Sequence, residues 1–134
     1  MGKMFGSASI FVLGVVVGSL TVSALSMQVR TQKTTRLMTT DLTGWCEGKE
    51  IIVDYQEEGP GQSAKHYHPG YSFSYMIEGS RTVKEDGAPP QIVRTGGIHF
   101  EAPMKANISE NAGPAKVVTF RIVEKGKPES VQVP

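Results

Sequence analysis

The chain has 134 residues, and its 14 Lys and Arg are matched by 13 Asp and Glu. That length holds one small domain, and a near-zero net charge lacks the cationic excess that binding a polyanion requires, so no nucleic-acid partner is expected. A single cysteine, Cys46, excludes an internal disulfide, and with only three histidines beside it no zinc-finger framework can form.

Residues 4–29 carry no charge, and about 20 apolar residues suffice for a helix to cross a bilayer. Residues 1–29 are therefore expected to be a transmembrane anchor, with 8–27 in the membrane, or a cleavable secretory signal. The signal reading draws on Lys3, the apolar stretch 10–20 and the small residues Val22-Ser23-Ala24. The uncharged run exceeds a signal core of about 7–15 residues, which favours the anchor. Both readings export the remainder of the chain and give a periplasmic or otherwise extracytoplasmic domain. Arg30, Lys33 and Arg36 behind the span, against Lys3 before it, pull toward the opposite orientation. Within the span Gly14 and Gly18 form a G-x-x-x-G pair, which lets helices pack closely and marks a contact for a membrane-protein partner.

Residues 30–40 are polar, without a sustained apolar period, and read as a tether or an edge segment. Beyond them come seven short runs rich in β-branched and aromatic residues, at 50–55, 72–77, 81–84, 91–94, 98–101, 107–109 and 116–123. Gly, Pro, Asn and Asp punctuate them, and no helical period intervenes. The pattern predicts an all-β antiparallel sandwich or small barrel over 41–125, with 126–134 as a polar tail.

His66-Tyr67-His68 stands out, because residues i and i+2 of a strand share a face and two imidazoles can converge on one metal ion. Tyr67, Tyr71, Phe73 and Tyr75 read as ordinary strand packing or as the lining of an apolar cleft. Glu57-Glu58 and Glu85-Asp86 flank turns and are expected to be solvated, and Cys46 is expected to be a structural thiol.

Residues 61–79, with His66-Tyr67-His68-Pro69-Gly70 at their centre and Glu78-Gly79 at their end, resemble the first motif of the cupin superfamily, H-x-H-x(3,4)-E-x(6)-G. Residues 96–111, with Gly96-Gly97, Pro103, Asn107 and Asn111, are similar to the second motif. The resemblance covers most of 50–125 and implies a cupin-type jelly roll or β-barrel. It puts His66 and His68 on two of the four ligand positions, Ser72 where the family has a glutamate, and Asn107 where it has a third histidine. The implied metal site is His66, His68 and Asn107, degenerate, holding one divalent ion (Fe, Mn, Ni or Zn) or none, since a serine hydroxyl is a poor ligand for such ions. Without metal the two histidines are interior residues hydrogen-bonded to Ser72, Asn107 or water. His99 and Glu101 fall ahead of Pro103 and off the ligand strand, so they would substitute only if their strand face turned toward the histidines. Two functions are expected. One is a membrane-anchored, non-catalytic ligand-binding module or accessory subunit of a membrane complex, which could also pair as a homodimer through its sheet edges. The other is an exported metal-dependent cupin enzyme of oxygenase or isomerase type using His66 and His68.

Overall fold

The structure, a computed structural model, describes residues 28–134. The expected membrane segment 8–27 and its Gly14–Gly18 pair lie outside the described residues, among which no helix is long and apolar enough to cross a membrane. Eleven strands run in chain order: β1 (Gln32–Asp41), β2 (Lys49–Glu58), β3 (Gly61–Gln62), β4 (His66–Tyr67), β5 (Tyr71–Glu78), β6 (Ser80–Glu85), β7 (Gln91–Arg94), β8 (Ile98–Glu101), β9 (Asn107–Asn111), β10 (Ala115–Glu124) and β11 (Val131–Gln132). One sheet has the order β1-β2-β10-β5-β8, and the other β11-β4-β9-β6-β7, with β3 also paired to β9. All strand pairs are antiparallel.

All seven expected strands form, as β2 and β5 to β10. Two segments expected outside the barrel belong to it. Of the two readings of residues 30–40 the edge segment holds and the tether does not: β1 is an edge strand that pairs with β2 from Gln32 opposite Glu58 to Asp41 opposite Glu50, with one irregularity between Arg36 and Met38. Every β1 residue is exposed, and the strand is held by its backbone hydrogen bonds to β2 together with the ion pairs of Arg36 with Asp54 and Glu129 and of Asp41 with Lys125. The 126–134 tail is likewise held: Val131 and Gln132 pair with Tyr67 and His66, and Val133 N donates to the Lys65 carbonyl.

Side-chain alternation runs opposite to the usual rule. A small apolar core of Met76, Val83, Val93, Ala115 and Val117 fills the interior beyond the end of β5 that carries Met76. Apart from Ile52 and Val123, the rest of the inner face is polar: Asp54, Gln56 and Glu58 on β2, Ser72 and Ser74 on β5, His99 and Glu101 on β8, Asn107, Ser109 and Asn111 on β9, and Thr119 and Arg121 on β10 are all buried. Buried charges must be paired, and here they are. Glu58, expected to be solvated, accepts from Arg81 Nη2 and from Asn111 Nδ2 at 2.7 Å and lies 3.4 Å from Arg30 Nη1. Asp54 accepts from Arg36 Nε at 2.5 Å and Arg121 Nη1 at 2.9 Å.

The apolar side chains instead face outward on the β1-β2-β10-β5-β8 sheet. One row crosses all five strands as Met38, Val53, Phe120, Phe73 and Phe100, each opposite the next. Beside it run Tyr55, Val118, Tyr75 and Ile98, and then Ile51, Ile122 and Tyr71. Phe73 and Tyr75 therefore lie on the outer face instead of in the core, whereas Tyr71 and Tyr67 line a cleft of about 420 Å³ with Pro69, Pro103 and Ile122. The β5–β6 hairpin needs glycine at 79: its φ is +88°, and a Cβ there would stand 2.6 Å from the Pro114 carbonyl oxygen.

Candidate metal centre

His66 begins on β4 and His68 stands just beyond it, so the two imidazoles emerge together, 5.1 Å apart and edge to face. Each has its Nδ1 against a backbone carbonyl, His66 on Ala64 at 2.9 Å and His68 on Glu129 at 2.7 Å. A ring that donates Nδ1–H to a carbonyl presents the lone pair of Nε2, the orientation that such carbonyls impose on metal-binding histidines.

The third member is Glu101. Ser72 on β5 lies directly opposite Glu101 on β8, so both side chains leave the sheet on the same face. The carboxylate missing from position 72 is thus supplied from the neighbouring strand, and the small Ser72, 1% exposed, leaves room for it. The expectation that Glu101 sits off the ligand face is corrected by this pairing. His66, His68 and Glu101 each offer a donor atom, all within 4.8 Å of one another. His99 shares the inner face but not the group; its Nδ1 bonds Gln91 Oε1 at 3.0 Å. Asn107, opposite His66 on β9, donates Nδ2 to Glu101 Oε2 at 3.0 Å and so holds the carboxylate in place. Its Oδ1 is buried without a partner among the described residues.

The geometry suits a cation. His68 Nε2 stands 3.0 Å from Glu101 Oε2 while Nδ1 already faces an acceptor. A neutral imidazole has one N–H and cannot satisfy both contacts, so the pair requires either an imidazolium or a cation shared by nitrogen and carboxylate. Two donors at about 2.1 Å from one ion and at right angles lie about 3.0 Å apart, which matches the observed spacing. Three protein ligands suit a divalent ion with positions left for water or ligand.

Burial pushes the His66 and His99 imidazoles below their ordinary value of 6.5. Burial by itself would raise the Glu101 carboxyl, but the hydrogen bond and charge of His68, then Asn107 and His99, bring it from 4.5 down to about 2. Folded-state values below the unfolded ones mean that the unfolded chain binds more protons, so stability falls with falling pH. In chelator, thermal scans of the chain are expected to show melting temperature dropping as pH passes below 6.5, from the two histidines, and again between 4.5 and about 2, from Glu101. A flat profile over both windows would contradict the buried, paired state of these groups.

All three ligand residues line a cavity of about 310 Å³ whose mouth includes Val29, Arg30 and Gln132. Glu101 was legible only as a conditional substitute, because nothing in the sequence says whether it or Ile98 and Phe100 face inward on β8. The usable signal was an ionisable residue alternating with them.

No family model matches the sequence, and no curated protein does. Solved structures do. The fold is similar to that of a cupin-like protein from Thermotoga maritima, at 21% identity over 78% of each chain with a TM-score of 0.58. A cupin superfamily protein from Desulfitobacterium hafniense matches at 8% identity over 70% of this chain and 79% of its own, with a TM-score of 0.59. A DMSP lyase from Ruegeria pomeroyi matches at 14% identity over 76% of this chain, with a TM-score of 0.58, and the chain spans only 51% of that protein's length.

Proposed function

Because the chain has the cupin fold, a double-stranded β-helix, we propose that it is a metal-dependent cupin that binds a small polar molecule at a divalent ion held by His66, His68 and Glu101. The observation that carries this reading is the convergence of those three donors on a cavity, with both histidines oriented by backbone carbonyls. The uncharged run 8–27 supports attachment of the domain to a membrane on its extracytoplasmic side, with Gly14 and Gly18 as the contact for a partner in the bilayer. Fe, Mn, Ni and Zn all accept a two-imidazole, one-carboxylate set.

Beyond the three ligands, the cavity wall is made of Arg, Ser, Thr and Gln side chains with Val29 and Ala64. It offers no further carboxylate, lysine or imidazole for proton transfer, which favours a binding or accessory module. A second reading, an exported enzyme of oxygenase or isomerase type, is favoured by the coordination positions open to the cavity, where an ion can act as a Lewis acid without a separate base.

Elemental analysis of the purified full chain after loading and dialysis tests the proposal. About one equivalent of divalent metal is expected, lost in a His66→Ala/His68→Ala variant that still folds. A chain that stays metal-free after loading would overturn it. Turnover that disappears with the metal would select the enzyme reading.

A further inference from the structure

The cavity beside the metal group has an unusual lining for a small-molecule site, since such pockets are mostly apolar. Among the described residues it contains no Phe, Tyr or Trp, and its deeper wall is made by Ser72, Ser74, Thr119 and Arg121. Thr119 and Arg121 are two apart on β10 and lie opposite Ser74 and Ser72. Thr119 Oγ1 and Arg121 Nε are buried with no hydrogen-bond partner among the described residues. Leaving buried donors unmade is costly, so this wall is built for a molecule that brings acceptors.

Charge points the same way. Three guanidinium groups, Arg30, Arg81 and Arg121, surround the cavity, and three carboxylates, Asp54, Glu58 and Glu101, balance them. Outside the lining, Glu129 pairs with Arg36 and also takes Arg121 Nη1 at 3.1 Å, which leaves Arg121 Nε as the free donor. A divalent ion on His66, His68 and Glu101 adds two positive charges that no remaining carboxylate of the cavity neutralises. A buried excess of charge has to be met by a counter-charge.

We propose that the ligand is a small oxygen-rich anion, a hydroxy- or oxo-carboxylate, whose carboxylate lies against Thr119 and Arg121 and whose other oxygens face the His66–His68–Glu101 group. This rests on the metal reading above. Calorimetric titration of the full chain, loaded with Mn or Zn, compares glycolate and malate with the neutral ethylene glycol. The carboxylates are expected to bind at least about tenfold more tightly than the diol, the difference made by charge-assisted hydrogen bonds. Thr119→Val, close in shape, is expected to weaken glycolate several-fold with metal content unchanged. Equal binding of acid and diol, or binding of neither, overturns the anion assignment and leaves the metal reading standing. Failure to load metal overturns both.

A separate observation concerns the outer face. Its three rows contain no charged residue, and Met38, Tyr71, Phe73, Tyr75, Ile98, Phe100 and Phe120 are 38–64% exposed. Their rings are ordered against one another, with Phe73 and Phe100 at 5.0 Å and Tyr71 and Phe100 stacked at 6.2 Å. At roughly 150–250 Å² per large side chain and about half of each exposed, the patch is on the order of 700 Å². That is close to the roughly 800 Å² per partner of a stable complex, and well beyond what monomers usually leave bare. We infer that a second copy of the chain covers it, the two sheets packing face to face about a two-fold axis. A lipid surface fits less well, because the patch presents no Lys or Arg to anionic headgroups.

Sedimentation of the full chain in detergent is expected to give a dimer at micromolar concentration and a monomer for Phe73→Glu, whose side chain points away from the core. A monomeric parent overturns the inference. If that monomer floats with vesicles and Phe73→Glu does not, lipid is the occupant instead.

Discussion

Glu101→Ala is expected to lower divalent-metal affinity by at least about 100-fold, since even changes behind the ligands cost about 10–100-fold, and adding Ser72→Glu to it is expected to recover most of the loss. The reasoning is positional. Ser72 and Glu101 are direct partners across β5 and β8, and directly opposite residues on one face have Cβ atoms about 5 Å apart. A glutamate at 72 therefore enters the same space as the carboxylate it replaces, next to His68 Nε2. Alanine at 101 makes room for the longer side chain. Competition titration against a chromophoric chelator measures both variants. If Glu101→Ala leaves affinity intact, the ligand set is wrong; if the double variant folds without recovery, the equivalence of the two positions is wrong.

The largest stability effect is expected at Glu58. Its carboxylate is fully buried and takes charge-assisted bonds from Arg81 and Asn111 with Arg30 close by. Glu58→Gln keeps the shape but leaves two buried guanidinium groups facing a neutral amide. Breaking a buried pair in this way costs about 3–5 kcal/mol, a large part of the stability of a domain this size. Removing an exposed pair supplies the control: Lys84→Ala, which separates Lys84 from Glu110 at 3.2 Å, is expected to cost less than about 1 kcal/mol. Denaturant unfolding of both variants measures the contrast, and a Glu58→Gln effect no larger than the control would show that the arginines find other partners.

The strands of the barrel were legible in the sequence because β-branched runs and turn residues do not depend on which face is buried. The direction of each face was not. Phe73 was expected as strand packing or as the lining of a cleft, yet Phe73, Phe100 and Phe120 stand exposed on the outer face while Ser72, Glu101 and Thr119 are buried. The histidine pair was visible because His66 and His68 are neighbours in sequence. The carboxylate was visible only as a condition on the face of its strand, because Glu101 joins them through the register of β5 with β8, which sequence spacing does not encode. Glu58 was missed for a related reason: its partners are Arg30, ahead of β1, and Arg81 on β6, which meet it only when the two sheets close. In β1 an unpatterned polar segment is held by its pairing with β2 and by the ion pairs of Arg36 and Asp41, whose partners are distant in the chain.

The carbonyl of Glu129 that orients His68 lies 61 residues after it in the chain, and β11 beside it pairs with β4. His68 cannot take its final tautomer and direction until that later segment has been synthesised and has docked. Contacts of such separation form slowly in β proteins. On the metal reading proposed above, loading follows completion of the barrel, so the ion is drawn from the metal supply of whichever compartment the finished chain folds in.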